Sequence, residues 1–144
     1  MNGGAHYLRG NRPRARRPAI IAAMNHEDIA KRYVGTWNER DAARRRALID
    51  ELYSADGGYT DPNVELRGPA EIDAFVGATQ AKFPGYVFTL GSRVDAHHSQ
   101  SRFNWHATAP GADEPAYVGF DLLATDGDGR VRQVYGFIDR TPTS

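Results

Sequence analysis

The arrangement of apolar residues changes once along this chain, at Pro84 and Gly85, and this change constrains the fold more than any other feature. Before it, apolar residues recur with the spacing of amphipathic helices; after it, they fall in short runs that are typical of strands. A group of helices followed by a group of strands predicts an α+β domain, with three helices packed on one face of a curved, mostly antiparallel sheet. A chain of 144 residues is long enough for one such domain with its own core.

The first predicted helix carries the clearest pattern. Asn25 is a typical N-cap residue, and Ile29, Tyr33 and Trp37 follow at intervals of four residues. This spacing predicts an amphipathic helix of about 13 residues that ends near Asn38. Because Tyr33 lies on the inward stripe of this helix, its hydroxyl group must find a hydrogen-bond partner or a cavity.

Two further helices are expected before the change in pattern. Asp41 can cap the second helix, and the segment SADGG at residues 54–58 is expected to end it. Its predicted apolar face consists of Ala47, Leu48 and Leu52. The arginines at positions 44–46 are expected to lie on its solvated face. Pro69 suits the first turn of a third helix. The apolar stripe of this third helix consists of Ile72, Phe75, Val76 and Thr79.

Five strands are predicted. A short one, YTDPNVEL at residues 59–66, precedes the third helix, and four longer ones follow Gly85. The longer strands are YVFTLGSRVDA (86–96), SQSRFNWHATA (99–109), AYVGFDLLATD (116–126) and RVRQVYGFID (130–139). The sequence DGDG at residues 126–129 indicates a tight hairpin between the last two. A sheet of this kind, curved around the first helix, encloses a small pocket.

The basic residues are distributed unevenly. Residues 1–23 contain arginines at positions 9, 12, 14, 16 and 17 and no acid, so the rest of the chain has more acids than bases. We expect a disordered basic extension over residues 1–23 and one domain over residues 24–144. An acidic domain argues against a nucleic-acid-binding surface on the fold itself.

Several classes of function are excluded or disfavoured. The chain contains no Cys, which excludes disulfides, thiolate catalysis and Cys-ligated zinc. No apolar run approaches the roughly 18 residues of a membrane span, so a cytoplasmic location without a membrane partner is expected. Neighbouring strand residues point to opposite faces, so His97 and His98 are not expected to share a metal. No residue type here demands a metal or a cofactor.

Two carboxylates stand in unusual positions. Asp61 directly precedes Pro62, where the backbone is extended, and it either terminates a strand or serves as a base at the mouth of a pocket. Asp121 lies between Phe120 and Leu122 in an apolar strand. Burial of an unpaired charge is so costly that such a group usually protonates, and it then becomes a hydrogen-bond donor. A neighbouring arginine, or a strand register shifted by one residue, would instead leave Asp121 paired or solvated.

Three segments together resemble the NTF2-like superfamily. They are KRYVGTWNERD (31–41), GGYTDPNVELRG (57–68) and FDLLATDGDGRVRQVYGFID (120–139), and the resemblance extends over about residues 26–140. This superfamily includes ketosteroid isomerases, SnoaL-type polyketide cyclases and limonene epoxide hydrolases. The resemblance implies a cone in which three N-terminal helices pack on a curved sheet around a pocket for a small hydrophobic molecule.

The resemblance also implies roles for particular residues. By analogy with ketosteroid isomerases, Asp61 is the general base, Tyr33 donates to the developing oxyanion, and Asp121 is the protonated partner of the tyrosine. A SnoaL-like cyclisation requires only one acid/base carboxylate, which Asp61 or Asp121 could supply. Neither reaction implies a cofactor. The expected pocket residues are Trp37, Tyr59, Phe75, Arg102, Asn104, Phe120 and Ile138.

Two alternatives stay open at this point. The cone could be a non-catalytic module that binds a ligand or dimerises, and a homodimer through the outer face of the sheet is expected in any case. The second alternative is a hydrolase similar to limonene epoxide hydrolases, in which Tyr59-x-Asp61, Arg102-x-Asn104 and Asp121 form the site. The sequence does not identify the substrate.

Overall fold

The first helix forms where the sequence predicts it. The structure, a computed structural model, describes residues 25–142, so the expected basic extension over residues 1–23 lies outside the described residues. Helix α1 spans His26–Asn38, and the Asn25 side chain caps it by accepting a hydrogen bond from the backbone N–H of Asp28 at 2.9 Å. Its buried stripe includes Ile29, Tyr33 and Trp37, as the four-residue spacing predicts.

Helix α2 spans Ala42–Leu52 and is capped by Asp41, as expected, but it buries a different face. Leu52 is buried as predicted, but Ala47 is exposed and Leu48 is only half-buried. Ile49 and the predicted surface residue Arg45 are buried in their place. The reason lies on helix α3 (Pro69–Lys82), which packs against α2. Two of its polar side chains accept hydrogen bonds from the Arg45 guanidinium, Asp73 at 2.8 Å and Gln80 at 2.9 Å.

The first strand begins earlier than expected. Strand β1 spans Tyr53–Thr60 and starts directly after α2, so the SADGG segment lies inside a strand instead of ending the helix. Its pairing with β7 is irregular between Tyr53 and Gly58, where five residues of β1 advance against two of the partner strand. A Cβ atom on Gly58 would meet the end of the Gln133 side chain, so that side chain would have to move. Strand β2 (Glu65–Arg67) then pairs with β1 in antiparallel fashion.

The remaining strands form a meander, as predicted. They are β3 (Val87–Leu90), β4 (Asp95–His97), β5 (Gln100–Thr108), β6 (Tyr117–Thr125) and β7 (Val131–Arg140). The predicted strand over residues 86–96 is divided into β3 and β4, both of which pair with β5. The predicted DGDG hairpin joins β6 and β7, which pair in antiparallel fashion.

The seven strands form one sheet in the order β2-β1-β7-β6-β5-β3, with β4 beside β5. Strand β1 runs parallel to β7, and the other pairs are antiparallel. The three helices contact the same sheet, and the core lies between them and its inner face, where Phe103, Leu123 and Val134 are buried. This arrangement confirms the α+β cone. Within residues 25–142, no helix has the length and apolar character that a membrane crossing requires.

Candidate functional site

A cavity of about 560 Å³ lies between helices α1 and α3 and the inner face of the sheet. Nearly half of its lining residues are aromatic, and α1, α3, β1 and β3 each direct a ring into it. The Trp37 ring centroid lies 5.8 Å from that of Tyr59, 6.1 Å from Phe75 and 5.6 Å from Phe88. Such a wall favours a flat, apolar ligand.

Asp121 lies at the wall of this cavity and is almost fully buried, with 4% of its surface exposed. The Tyr33 hydroxyl group donates a hydrogen bond to its Oδ2 atom at 2.7 Å, and the Trp105 indole N–H donates to its Oδ1 atom at 3.2 Å. Burial raises the pKa of Asp121 to about 7, and the charge of Asp61 adds to this rise, although the Tyr33 and Trp105 hydrogen bonds oppose it. The protonated form of Asp121 is therefore well populated near neutral pH.

Asp61 follows the last residue of β1 and combines the two roles that its sequence position allows. Its Oδ1 atom accepts hydrogen bonds from the backbone N–H groups of Asn63 at 2.8 Å and Val64 at 3.1 Å, which closes the turn after the strand. Its Oδ2 atom accepts from the Tyr59 hydroxyl group at 2.8 Å, and the side chain lines the cavity. The turn therefore holds a carboxylate at the cavity wall in a defined orientation.

A glycine allows the two carboxylates to share one wall. Gly136 on β7 pairs with Asp121 on β6. A Cβ atom on Gly136 would lie 2.9 Å from Oδ1 of Asp121 and 3.3 Å from Cβ of Asp61. Any larger residue would therefore force these side chains to move.

Three phenols near Asp121 also have raised pKa values, and two of them, Tyr33 and Tyr59, line the cavity. Burial raises the pKa of Tyr33, Tyr53 and Tyr59 above the ordinary value for tyrosine, and the charge of Asp121 adds to the effect on each. These three hydroxyl groups are therefore neutral across the physiological range and act as donors or acceptors, not as anions. The one cationic side chain among the cavity-lining residues is that of Lys82, whose Nζ atom lies 5.6 Å from the Phe83 ring centroid.

Most of the residues expected at the pocket do line it. The structure brings together the predicted catalytic residues Tyr33, Asp61 and Asp121. The predicted pocket residues Trp37, Tyr59, Phe75 and Ile138 also line the cavity.

Three predicted pocket residues do not reach the cavity, which corrects the prediction. Arg102 is exposed, and its Nε atom lies 3.0 Å from Asp95. Asn104 donates to the Gly119 carbonyl oxygen at 3.1 Å, and Phe120 packs against Phe137. The register of β5 and β6 directs the alternate residues inward, so these three side chains lie on the opposite face. The set expected for an epoxide hydrolase therefore does not assemble.

Several cavity-lining residues were missed from the sequence, and two of them, Trp105 and Gly136, lie directly against Asp121. Trp105 resembles an ordinary core aromatic residue, and Gly136 carries no side chain to attract notice. The only signal for Trp105 was its two-residue spacing from Phe103 and Ala107, which marks the same face of β5. That signal becomes informative only when Phe103 is known to point inward.

The histidine pair differs from expectation in its geometry. Strand β4 ends at His97, and His98 has a positive φ of 53°, so the two side chains do not alternate. Their Nδ1 atoms lie 2.9 Å apart in an exposed turn. Among residues 25–142, no group of three or more His, Cys, Asp and Glu side chains is arranged to hold a metal ion.

Comparisons with known proteins agree with this architecture. Residues 30–134 match the model of the SnoaL-like domain family. The structure of a proposed isomerase of the SnoaL-like family from Agrobacterium tumefaciens is 36% identical, with a TM-score of 0.76, over 79% of this chain and 97% of that chain. A comparison with curated proteins finds no match.

Two more distant structures share the fold alone. One, from Catenulispora acidiphila, has a ketosteroid isomerase-like fold and was solved in complex with trimethylamine; it is 20% identical, with a TM-score of 0.60, over 75% of this chain and 82% of that chain. The other, a proposed polyketide cyclase from Sinorhizobium meliloti, is 13% identical, with a TM-score of 0.60, over 76% of this chain and 93% of that chain.

Proposed function

The chain belongs to the SnoaL-like family, and on that premise we propose that it catalyses acid/base chemistry on a small hydrophobic carbonyl compound without a cofactor. The reaction begins with removal of a proton from the carbon next to the carbonyl group. Isomerisation follows when the proton returns at another carbon, and cyclisation follows when the enolate carbon attacks a second carbonyl group of the same molecule. The observation that carries this proposal is the presence of two carboxylates with unlike surroundings in one aromatic cavity.

Asp61 is the proposed base. Its carboxylate is oriented by two backbone N–H groups on Oδ1 and by the Tyr59 hydroxyl group on Oδ2, and Oδ2 retains a lone pair for a proton from the ligand. When the C–H bond breaks, its electron pair becomes the enolate double bond and the charge moves to the carbonyl oxygen. The protonated base then returns the proton, so no other reactant is needed.

The Tyr33–Asp121 pair is the proposed stabiliser of the enolate oxygen. Both side chains line the cavity, and their mutual hydrogen bond is buried. A hydroxyl donor in a water-poor site stabilises a developing negative charge more strongly than water does, because its dipole is already oriented. Neutral Asp121 adds a second acidic hydrogen to this pair and avoids repulsion of the enolate.

Hydrogen exchange in D₂O tests this function without knowledge of the true substrate. Cyclic ketones, cyclic enones and 1,3-diketones are incubated with the protein, and loss of their α-proton signals is followed by NMR. Exchange should be accelerated by the wild type and reduced to the background rate by Asp61→Asn, because the amide keeps the turn but cannot accept a proton. Asp56→Asn, an exposed change on the same strand, is the matched control and should exchange as the wild type does. Equal exchange by Asp61→Asn and the wild type would exclude Asp61 as the base.

A second role favoured by one observation is that of a dimerising binding module. Tyr135 and Phe137 on β7 are 42% and 57% exposed, and the Phe120 ring lies 6.2 Å from that of Phe137, which also borders the cavity. An apolar group of this kind on a sheet suits a symmetric contact with a second copy of the chain. In the module role the cavity holds a small hydrophobic molecule, and none of the tested carbonyl compounds exchanges faster than background.

A further inference from the structure

The two oxygens of Asp121 have different partners, and this difference has a consequence for the position of its proton. Oδ2 lies 2.7 Å from the Tyr33 hydroxyl oxygen, and Oδ1 lies 3.2 Å from Nε1 of Trp105. A hydroxyl group can donate or accept a hydrogen bond, whereas an indole N–H can only donate. Oδ1 must therefore accept a hydrogen bond in every protonation state in which the indole contact is kept.

When Asp121 is ionised, both of its oxygens accept. The Tyr33 hydrogen then points at Oδ2 and is not available to a ligand. When Asp121 is protonated, a proton on Oδ1 would face the indole hydrogen, so the proton lies on Oδ2. At 2.7 Å, the Oδ2–Tyr33 contact suits an O–H···O bond in either direction. The Tyr33 oxygen then accepts, and its own hydrogen must turn to another acceptor.

From this geometry we propose that Trp105 is a positioning residue: its indole N–H confines the proton of Asp121 to Oδ2 and so turns the Tyr33 hydroxyl hydrogen toward the cavity. Tyr33 lines the cavity, so an oxygen atom of the ligand is the acceptor that this hydrogen meets. The inference deepens the proposed function, since the freed hydrogen is the donor to the enolate oxygen. The location of the proton in the free protein does not depend on that function.

Among the titratable groups in this part of the cavity, Asp121 is the one whose protonation changes near neutral pH and so changes the orientation of the Tyr33 hydroxyl group. The titratable groups that face it are Tyr33 on α1, Tyr53 and Tyr59 on β1, and Asp61 after β1. Burial keeps the three phenols neutral, and burial also raises the pKa of Asp121 to about 7. Strands β5 and β7 bring Trp105 and Gly136 against Asp121, and neither of these residues titrates. Lys82, on α3, is the cation among the cavity-lining residues.

Trp105→Phe removes the N–H group and keeps an aromatic ring beside Phe88, whose centroid lies 6.2 Å from that of Trp105. The side-chain carboxyl carbon of Asp121 is titrated by NMR in the unliganded protein. Because the indole stabilises the carboxylate form, its loss should raise the midpoint of this titration by about one pH unit. Trp37→Phe, a change in the same cavity without a contact to Asp121, is the matched control and should leave the midpoint near that of the wild type. Equal midpoints for Trp105→Phe and the wild type would overturn the proposal.

The wild type provides a measurement that does not depend on the folding of a variant. The indole ¹H and ¹⁵N shifts of Trp105 should move with the same midpoint as the Asp121 carboxyl carbon and should stay in the hydrogen-bonded range on both sides of it. An indole signal that is insensitive to this titration, or one that loses its hydrogen bond when Asp121 is protonated, would overturn the proposal.

Binding of 2-naphthol tests the orientation of the Tyr33 hydroxyl group, because its oxygen can accept a hydrogen bond as an enolate oxygen does. Its affinity for the wild type should fall about tenfold as the pH rises through the midpoint of Asp121. In Trp105→Phe the decrease in naphthol affinity should occur at higher pH, together with the titration midpoint of Asp121. At pH values below this midpoint, the naphthol affinity of the variant should be lower than that of the wild type, because the Asp121 proton is no longer confined to Oδ2. A naphthol affinity that does not follow the Asp121 titration would show that the Tyr33 hydroxyl does not turn. None of these readouts requires turnover, so their outcome is separate from that of the α-proton exchange experiment.

Discussion

Tyr33 on α1 and Asp121 on β6 are 88 residues apart in the chain, and their side-chain oxygens form a buried hydrogen bond of 2.7 Å. The bond joins the first helix to the middle of the sheet, at the wall of the cavity. A buried carboxylate with only neutral donors around it is poorly compensated for the loss of water. The contact therefore links the protonation of one group to the stability of the whole cone.

Stability should fall as pH rises from about 4 to about 7. The pKa of Asp121 is about 7 in the folded protein, above the usual value near 3.8. The folded state thus binds a proton that the unfolded state has already lost, and each pH unit in this window costs at most roughly 1.4 kcal/mol. Urea unfolding at pH 5, 6, 7 and 8 measures the slope.

Asp121→Asn isolates the contribution of this one residue, because an amide resembles the protonated acid. Its free energy of unfolding, relative to that of the wild type, should improve as the pH rises from 5 to 8. A constant difference between the two proteins over that range would mean that Asp121 titrates alike in the folded and unfolded states.

Gly136→Ala should damage the site more than the fold. The added methyl group would lie 2.9 Å from Oδ1 of Asp121, the oxygen that accepts from Trp105, so this carboxylate must move. We expect a loss of about 1–3 kcal/mol in the free energy of unfolding and a loss of α-proton exchange. Gly127→Ala, with open space around its Cβ position, is the control and should change neither the free energy of unfolding nor the rate of α-proton exchange by much. Full exchange activity in Gly136→Ala would show that the close approach of Asp61 and Asp121 is not needed.

Arg45→Ala should be strongly destabilising, although arginine 45 lies in a run of three arginines. It leaves Asp73 and Gln80 on α3 without their partner, with 10% of the Arg45 side chain and 20% of the Asp73 side chain exposed. We expect a loss of about 2–4 kcal/mol in the free energy of unfolding. The comparison is Arg46→Ala, whose ion pair with Asp50 is about half exposed and should contribute less than about 0.5 kcal/mol. Similar losses of stability in the two variants would show that the buried Arg45 contacts contribute no more to the free energy of unfolding than the exposed ion pair does.

The outer face of the sheet should hold two copies of the chain together. Sedimentation equilibrium is expected to give a dimer for the wild type and a monomer for Tyr135→Glu, since the glutamate places a charge in the proposed contact. Val87→Glu, an exposed apolar position on the edge strand β3, should remain dimeric. A monomeric wild type would refute this interface, whatever the variants do.

Local features were predicted well because their causes are local. The caps of α1 and α2 depend on Asn25 and Asp41, each of which bonds to a backbone group three residues ahead. The DGDG hairpin likewise depends on adjacent residues. Predictions were wrong where the structure depends on residues far away in the sequence. Arg45 is buried because it donates hydrogen bonds to Asp73 and Gln80. Strand β1 begins at Tyr53 because it pairs with β7 from that residue on.

The sequence by itself determined the order of the elements, the α+β class and the supply of acid/base groups, since periodicity, caps and turn residues act over a few positions. Only the tertiary structure decided which side of β5 faces the cavity. A two-residue alternation looks the same after a shift of one residue, so Arg102 and Asn104 were as plausible as Phe103 and Trp105 until the pairing with β6 placed Asp121 inward. The different surroundings of the two Asp121 oxygens arise for the same reason, because Tyr33 and Trp105 meet that residue only when helix and sheet are packed together.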